Sequence, residues 1–168
     1  MRYVALAFTG YRTEKLPFPP TPENVAALRE RIARVIREQA GLGVKYFMSG
    51  VCHGADLIAA ETVLELKEEL GISLWCAVPF RGHEKLIPEA ELPHYKKVLS
   101  GADGVIVVHD GYPSKGEYGR LFNDRNRFMV DKCDGLIAIC PGSDIQPGGT
   151  RNTVDMARRA GKPVIFVL

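Results

Sequence analysis

Three short stretches of the sequence combine glycine with small polar residues, as turns that hold phosphate groups do. They read TGYR at 9–12, SGVCHGAD at 49–56 and PGGTRN at 147–152. Glycine lets main-chain N–H groups approach a phosphate closely, and the N-terminus of a following helix adds partial positive charge. None matches the Gly-Lys-Ser/Thr loop or the Gly-x-Gly-x-x-Gly dinucleotide loop. Each alone also suits a tight strand-to-helix connection, but together they predict a cleft for a phosphate or nucleotide.

The candidate ligand-binding residues in these stretches are the glycines and their polar neighbours. They are Thr9, Gly10, Tyr11, Arg12, Ser49, Gly50, Gly54, Asp56, Gly148, Gly149, Thr150 and Asn152. Asp56 has two interpretations: it caps the helix that it opens, or it lies at the floor of the cleft and accepts a hydrogen bond from a ribose hydroxyl. Phe80 and Arg81 could stack on a nucleobase, with core packing of Phe80 as the alternative. The four histidines show no metal-ligand spacing, so no metal site is predicted.

Composition narrows the class of protein. The 168 residues are 46% hydrophobic and 25% charged, which is typical of one globular domain and excludes a disordered chain. No apolar run approaches the roughly 18 residues of a membrane helix, and the N-terminal run is too short for a signal peptide, so we expect a cytoplasmic protein. The net charge of +2, without any block of like charges, argues against nucleic acid or a membrane as partner. Four cysteines without Cys-x-x-Cys spacing are expected to be reduced thiols.

Short apolar runs alternate with segments of helical periodicity from end to end. The runs predict strands at 3–8, 45–48, 73–78, 104–109, 135–140 and 163–167. Helices are predicted from Thr21-Pro22-Glu23 onward and at 55–70, 89–99, 117–132 and 151–160. This alternation indicates a single α/β domain over residues 1–168, a doubly wound sheet of about six mostly parallel strands flanked by helices. Ligands bind such sheets at the carboxyl ends of the strands, near the point where the strand order reverses.

The motifs also carry a resemblance that spans essentially the whole chain. The SG-x-x-x-GAD pattern at 49–56 resembles the glycine motif of the SLOG superfamily, which links DNA-processing proteins of the Smf/DprA type with the LOG phosphoribohydrolases. The segments TGYR at 9–12, PF at 79–80 followed by EK at 84–85, and DKCDGL at 131–136 look like its YpsA branch. The resemblance implies a Rossmann-like fold that binds nucleotides or their derivatives, for example ADP-ribose-like ligands. It also implies that the chain could form homo-oligomers, because relatives often dimerise.

The resemblance points to two candidate catalytic residues. LOG enzymes have an arginine nine residues before the aspartate that opens their fifth strand, and Arg125 stands nine residues before Asp134. Arg125 is therefore the implied phosphate- or ribose-facing cation. The catalytic glutamate of those enzymes, in Pro-Gly-Gly-x-Gly-Thr-x-x-Glu, falls here on Thr153 or Asp155, depending on the register. Asp155 is one methylene shorter, and about 1 Å of misplacement can cost on the order of a hundredfold in rate.

Three functions are consistent with these residues. The first is binding of a nucleotide derivative by a sensor or ligand-handling protein, without certain cofactors. The second is LOG-like hydrolysis of a nucleoside 5′-monophosphate, for which the family glutamate is missing. The third is binding of single-stranded DNA, which needs a basic groove and which the small net charge disfavours.

Overall fold

The structure is a computed structural model that describes residues 3–168; Met1 and Arg2 lie outside the described residues. Strands and helices alternate along this part of the chain. The strands are β1 (Ala5–Gly10), β2 (Tyr46–Ser49), β3 (Ser73–Phe80), β4 (Gly104–His109), β5 (Gly135–Ile139) and β6 (Val164–Phe166). The α-helices are α1 (Pro22–Gly41), α2 (Ala55–Leu70), α3 (Leu92–Gly101), α4 (Tyr118–Lys132) and α5 (Gly149–Arg159).

The six strands form one sheet in the order β4-β3-β2-β1-β5-β6, and every neighbouring pair is parallel. The chain runs outward from β1 to β4 on one side, and then crosses to β5 and β6 on the other. The order therefore reverses between β1 and β5, which is the switch point of a doubly wound sheet. The predicted single α/β domain with a parallel, Rossmann-like sheet is confirmed.

The helices cover the sheet on both faces. α1, α2 and α3 pack side by side on one face, and α4 and α5 pack together on the other. The core under α1–α3 is the larger and includes the stacked rings of Phe8 and Phe47, whose centroids are 5.8 Å apart. Met129 and Leu136 belong to the core under α4 and α5. Burial of both faces explains why the strands are apolar at nearly every position.

The structure shifts several predicted boundaries for local reasons. β1 begins at Ala5 rather than at residue 3, and at its start the N–H groups of Val4 and Ala5 donate to the carboxylate of Asp134 (2.8 and 2.9 Å). α3 begins at Leu92 rather than at residue 89. Pro93 then falls in its first turn, where a missing N–H costs nothing.

Close packing between β1 and α2 fixes the position of the start of α2. A Cβ on Gly10 would lie 2.6 Å from the Cβ of Ala55, far inside contact distance. The last residue of β1 can therefore lie directly against the first residue of α2 only as glycine. This contact brings the start of α2 next to the carboxyl end of β1.

Candidate functional site

A cleft of about 240 Å³ opens at the edge of the sheet where the strand order reverses. β1 and β5 end side by side there, since Gly10 pairs with Ile139 in the register of the two strands. The residues that line the cleft come from the loop after β1, the loop after β2, the first turns of α2 and α5, and one face of α4. Doubly wound sheets bind their ligands at this position.

Most of the residues predicted from the sequence line this cleft. They are Thr9, Gly10, Tyr11, Arg12, Asp56, Arg125, Gly148, Gly149 and Thr150. Further lining residues escaped the sequence analysis: Glu14, Lys15, Cys52, Phe122, Asn126, Gln146 and Pro147. Phe122 carried a usable signal, because it stands three residues before Arg125 and four before Asn126, and these spacings place side chains on neighbouring positions of one helix surface.

Other predicted residues do not line the cleft. These are Ser49, Gly50, Gly54, Phe80, Arg81, Asn152 and Asp155. Asn152 is exposed and borders a groove between α4 and α5. Asp155 is half-buried on α5, outside the cleft, so the carboxylate that the resemblance offered for hydrolysis is not in the site.

The glycine turn between β2 and α2 is shaped by contacts within the protein. A Cβ on Gly50 would lie 2.7 Å from Cζ of Arg125, and a Cβ on Gly54 would lie 2.5 Å from the backbone nitrogen of Thr13. The hydroxyl of Ser49 accepts from the N–H of Val51 (3.1 Å) and donates to the carbonyl of Asp56 (3.0 Å). The glycines of this turn make room for a guanidinium group and for the loop after β1. These contacts explain the need for glycine at both positions, and the approach to phosphate that the sequence suggested stays a prediction.

Arg125 forms the floor of the cleft and is only 2% exposed. Its Nη1 donates to the carbonyls of Gly50 (2.5 Å) and Ala77 (3.1 Å), and its Nε donates to Oδ1 of Asn126 (3.0 Å). Its Nη2 lies 3.4 Å from Sγ of Cys52. A guanidinium group has five N–H donors, and these four contacts hold it in place while leaving one Nη2 hydrogen for another partner. Arg125 is thus a fixed positive charge rather than a mobile one.

Asp56 lies in the first turn of α2 and is 7% exposed. Its Oδ1 is fully buried and has no hydrogen-bond partner among residues 3–168. The N-cap of α2 is Gly54, and no side chain caps that position. Burial raises the pKa of Asp56 to about 7, and the neighbouring Cys52 acts in the same direction, while the charge of Arg125 opposes the rise.

The first turn of α5 faces the cleft without a cap. Its N-cap residue is Gly148, which has φ +145° and no side chain to accept from the turn. The N–H of Gln146 donates to the hydroxyl of Tyr11 (3.1 Å), which anchors the loop that leads into this helix. Tyr11 is 5% exposed, so it serves the cleft as a wall more than as a stacking surface. The free N–H groups of a first turn favour an anion.

Positive charge dominates the mouth of the cleft. Lys15 reaches across it, with Nζ 3.3 Å from where a Cβ on Gly148 would stand. Neither Arg12 nor Lys15 forms an ion pair with an acid of residues 3–168. Glu14, an acid of the lining, is paired with His53 at 2.9 Å. Arg12 and Lys15 therefore remain available to an anionic ligand.

Besides Tyr11, the aromatic side chain that lines the cleft is Phe122, not Phe80. Phe80 is 1% exposed and stacks on Tyr118, with ring centroids 5.0 Å apart. Core packing, the alternative considered from the sequence, is what the structure shows for it. Arg81 is paired with Asp110 instead of reaching the site. Cζ of Arg12 lies 5.2 Å from the Phe122 ring centroid, so the two side chains form a cation–π contact at the mouth.

Among the histidine, cysteine, aspartate and glutamate side chains of residues 3–168, no group of three is placed to hold a metal ion. No helix within the same residues has the length and apolar character needed to cross a bilayer.

Comparison with known proteins finds a matching family model and several similar bacterial proteins. The family model of YpsA, described as the YspA SLOG family, matches residues 6–161. A UPF0398 protein of Bacillus pumilus is 30% identical over 141 residues, which are 80% of this chain and 72% of that protein. The SPbeta prophage-derived protein YoqJ of Bacillus subtilis is also 30% identical, over 79% of this chain and 81% of its own length.

Among solved structures, DNA processing protein A from Helicobacter pylori matches 97% of this chain with a TM-score of 0.60 and 21% identity. This chain spans 64% of that one, which is described as binding single-stranded DNA, and the likeness shows the fold alone. The sequence match over residues 6–161 and the resemblance seen in the motifs lead to one assignment. The chain belongs to the YpsA family of SLOG proteins.

Proposed function

We propose that this protein binds a small anionic nucleotide derivative, such as a nucleoside monophosphate or an ADP-ribose-like compound, in the cleft at the ends of β1 and β5. It would act as a sensor or ligand-handling protein. The observation that carries the proposal is that the uncapped first turn of α5 lines the same cleft as Arg12 and Lys15. Neither of these cations has an acidic partner among residues 3–168.

The phosphate of the ligand is expected at the start of α5. The N–H groups of that turn and its partial positive charge favour an anion. Gly148 leaves the approach open, because the atom nearest to its missing Cβ is Nζ of Lys15, at 3.3 Å. A phosphate in this place would meet backbone donors on one side and an ammonium group on the other.

The base is expected at the mouth. The cleft of about 240 Å³ is smaller than the pockets of roughly 300–1,000 Å³ that enclose whole drug-sized ligands. It therefore suits the sugar and phosphate, while the base would lie outside against Phe122 and Arg12. Rings and guanidinium groups stack on any base, so this contact supports binding without naming the base.

Hydrolysis of the glycosidic bond is not part of the proposal. The alternative of a LOG-like phosphoribohydrolase relied on an acid supplied by α5, and Asp155 lies outside the cleft. Arg125 can hold a charge but not transfer a proton, because a guanidinium group stays protonated in proteins. The residues support binding more directly than catalysis.

Binding of single-stranded DNA is the second candidate. It is favoured by the shared fold with the Helicobacter pylori protein, which is described as binding single-stranded DNA. The net charge of +2 and the small volume of the cleft favour a compact ligand instead. The salt dependence of binding distinguishes the two candidates.

Isothermal titration calorimetry with AMP, ADP-ribose and adenosine tests the proposal. We expect AMP or ADP-ribose to bind and adenosine, which lacks phosphate, to bind at least about tenfold more weakly, as loss of charge-assisted hydrogen bonds predicts. Arg12→Ala and Lys15→Ala should each weaken binding of the phosphorylated compound. Arg34→Ala, which removes an exposed cation of α1 outside the cleft, is the matched control. Absence of binding by both phosphorylated compounds, or equal weakening by the control, would overturn the proposal.

A further inference from the structure

One carboxyl oxygen inside the cleft has no partner. Oδ1 of Asp56 is fully buried and accepts or donates no hydrogen bond within residues 3–168. Asp56 is only 7% exposed, and yet it lines the cleft. Buried polar atoms in native proteins are almost always paired, so an unpaired one beside a cleft is a candidate to contact a bound ligand.

The position of Asp56 relative to α5 limits which ligand atom this is. α2 follows β2 and α5 follows β5, and both strands are direct neighbours of β1. The first turns of both helices line the same cleft beside the end of β1, where Ala55 of α2 lies directly against Gly10. A phosphate and a five-carbon sugar fit together in this cleft of about 240 Å³. A ligand whose phosphate lies at α5 therefore presents its sugar to Asp56.

The charges around Asp56 restrict the chemistry of the group. Arg12, Lys15 and Arg125 line the same cleft, and they disfavour a cationic group on the ligand. A phosphate oxygen is a good partner only for a protonated carboxyl group, because it would repel a carboxylate. A hydroxyl group can donate to the carboxylate and can accept from the acid, so it suits Asp56 in either protonation state.

We propose that Asp56 hydrogen-bonds a ribose hydroxyl of the bound ligand, so that the cleft selects ribonucleotide derivatives over their deoxy counterparts. This inference rests on the proposed function, because it takes the phosphate to lie at α5. It goes beyond that function by assigning recognition of the sugar to a residue of α2. An internal nucleotide of DNA has neither a 2′-hydroxyl nor a free 3′-hydroxyl, so it cannot provide this contact.

The test compares AMP with two analogues, each of which lacks one ribose hydroxyl group. AMP, 2′-deoxy-AMP and 3′-deoxy-AMP are titrated into the unaltered protein and followed by calorimetry. We expect AMP to bind about tenfold or more tightly than the compound that lacks the hydroxyl read by Asp56, since a site built to pair a hydroxyl rejects its absence. Because the hydroxyl group is removed from the ligand and the protein is unaltered, this comparison does not require any variant to fold.

Asp56→Ala then assigns the preference to its residue. In this variant the difference between AMP and the discriminated deoxy compound should shrink to less than about threefold, since the partner of the hydroxyl is gone. Glu65→Ala is the matched control, because it removes an exposed carboxylate of the same helix outside the cleft. It should keep the full preference.

The outcomes separate the two proposals. Equal affinity of the unaltered protein for all three compounds would overturn the role of Asp56 and leave the proposed anion site standing. A preference that persists unchanged in Asp56→Ala would likewise overturn it, because another residue would then read the hydroxyl. Absence of binding by all three compounds, together with ADP-ribose, would overturn the proposed function itself.

Discussion

Two buried charged groups of the cleft, Asp56 and Arg125, lie near each other without forming an ion pair. Arg125 gives its Nη1 donors to the carbonyls of Gly50 and Ala77, so its charge is held by main-chain dipoles. Asp56 keeps one oxygen unpaired. A buried carboxylate without a full set of partners is unfavourable, and the group responds by keeping its proton to higher pH. The stability of the fold should therefore depend on pH.

The first prediction concerns the dependence of stability on pH. The pKa of Asp56 is raised from 3.8 to about 7 in the folded protein. Between these values the unfolded chain binds fewer protons than the folded one, so the free energy of unfolding falls as pH rises. The favourable contribution is complete below pH 3.8 and lost above about 7. This difference in pKa corresponds to a change of about 4 kcal/mol at most in the free energy of unfolding. Asp56→Asn cannot ionise and should lose less stability over this range in urea unfolding at several pH values.

Glu68→Gln is the control for this prediction, because Glu68 forms no ion pair among residues 3–168. It also replaces a carboxylate of α2 by an amide, but at an exposed position outside the cleft. Its stability should follow the unaltered protein across the pH range. Parallel curves for Asp56→Asn and the unaltered protein would show that burial does not perturb this carboxyl group.

At the scale of elements, the sequence was sufficient for the architecture and insufficient for the packing of side chains. The boundaries of α2 and β4 agree with the predicted ranges, because each has a local signal: Gly71 ends α2 in the left-handed conformation, and an apolar run of strand length fills β4. The N–H groups at the start of β1 donate to Asp134, which is distant in the sequence. The destination of Phe80 likewise depends on Tyr118 of α4, a contact that no local pattern contains.

The second prediction concerns the turn between β2 and α2 and its contact with α4. Gly50→Ala would place a methyl group 2.7 Å from Cζ of Arg125 and displace the guanidinium from its carbonyl partners. Overpacking of this kind costs about 1–3 kcal/mol of unfolding free energy, measurable by urea denaturation. Gly119→Ala in α4 is the matched control, since a Cβ there meets nothing within 4 Å. It should leave stability unchanged or raise it by up to about 1 kcal/mol. Similar effects of both substitutions would contradict the packing argument.

At the scale of the whole molecule, charge is balanced overall and concentrated locally. The 22 basic and 20 acidic residues nearly cancel, so no large positive surface is expected from composition. Within the cleft, by contrast, Arg12, Lys15 and Arg125 outnumber the acids Glu14 and Asp56, and Glu14 is paired with His53. A short anion can satisfy this local excess, whereas a long strand of DNA would extend beyond it.

The third prediction follows from this distribution. Each phosphate contact adds about 0.7 to the magnitude of the slope of log K against log salt concentration for a single strand. AMP carries a single phosphate and therefore allows a slope of no more than about 1, whereas a strand that makes six phosphate contacts would give about 4. Calorimetry with AMP and fluorescence anisotropy with a labelled oligo-dT, each over a range of sodium chloride concentrations, measure the two slopes. We expect the shallow slope for AMP and weaker binding of oligo-dT at physiological salt. A steep slope with tight oligo-dT binding would mean that basic residues outside the cleft contact the strand, and it would replace the nucleotide proposal with DNA binding.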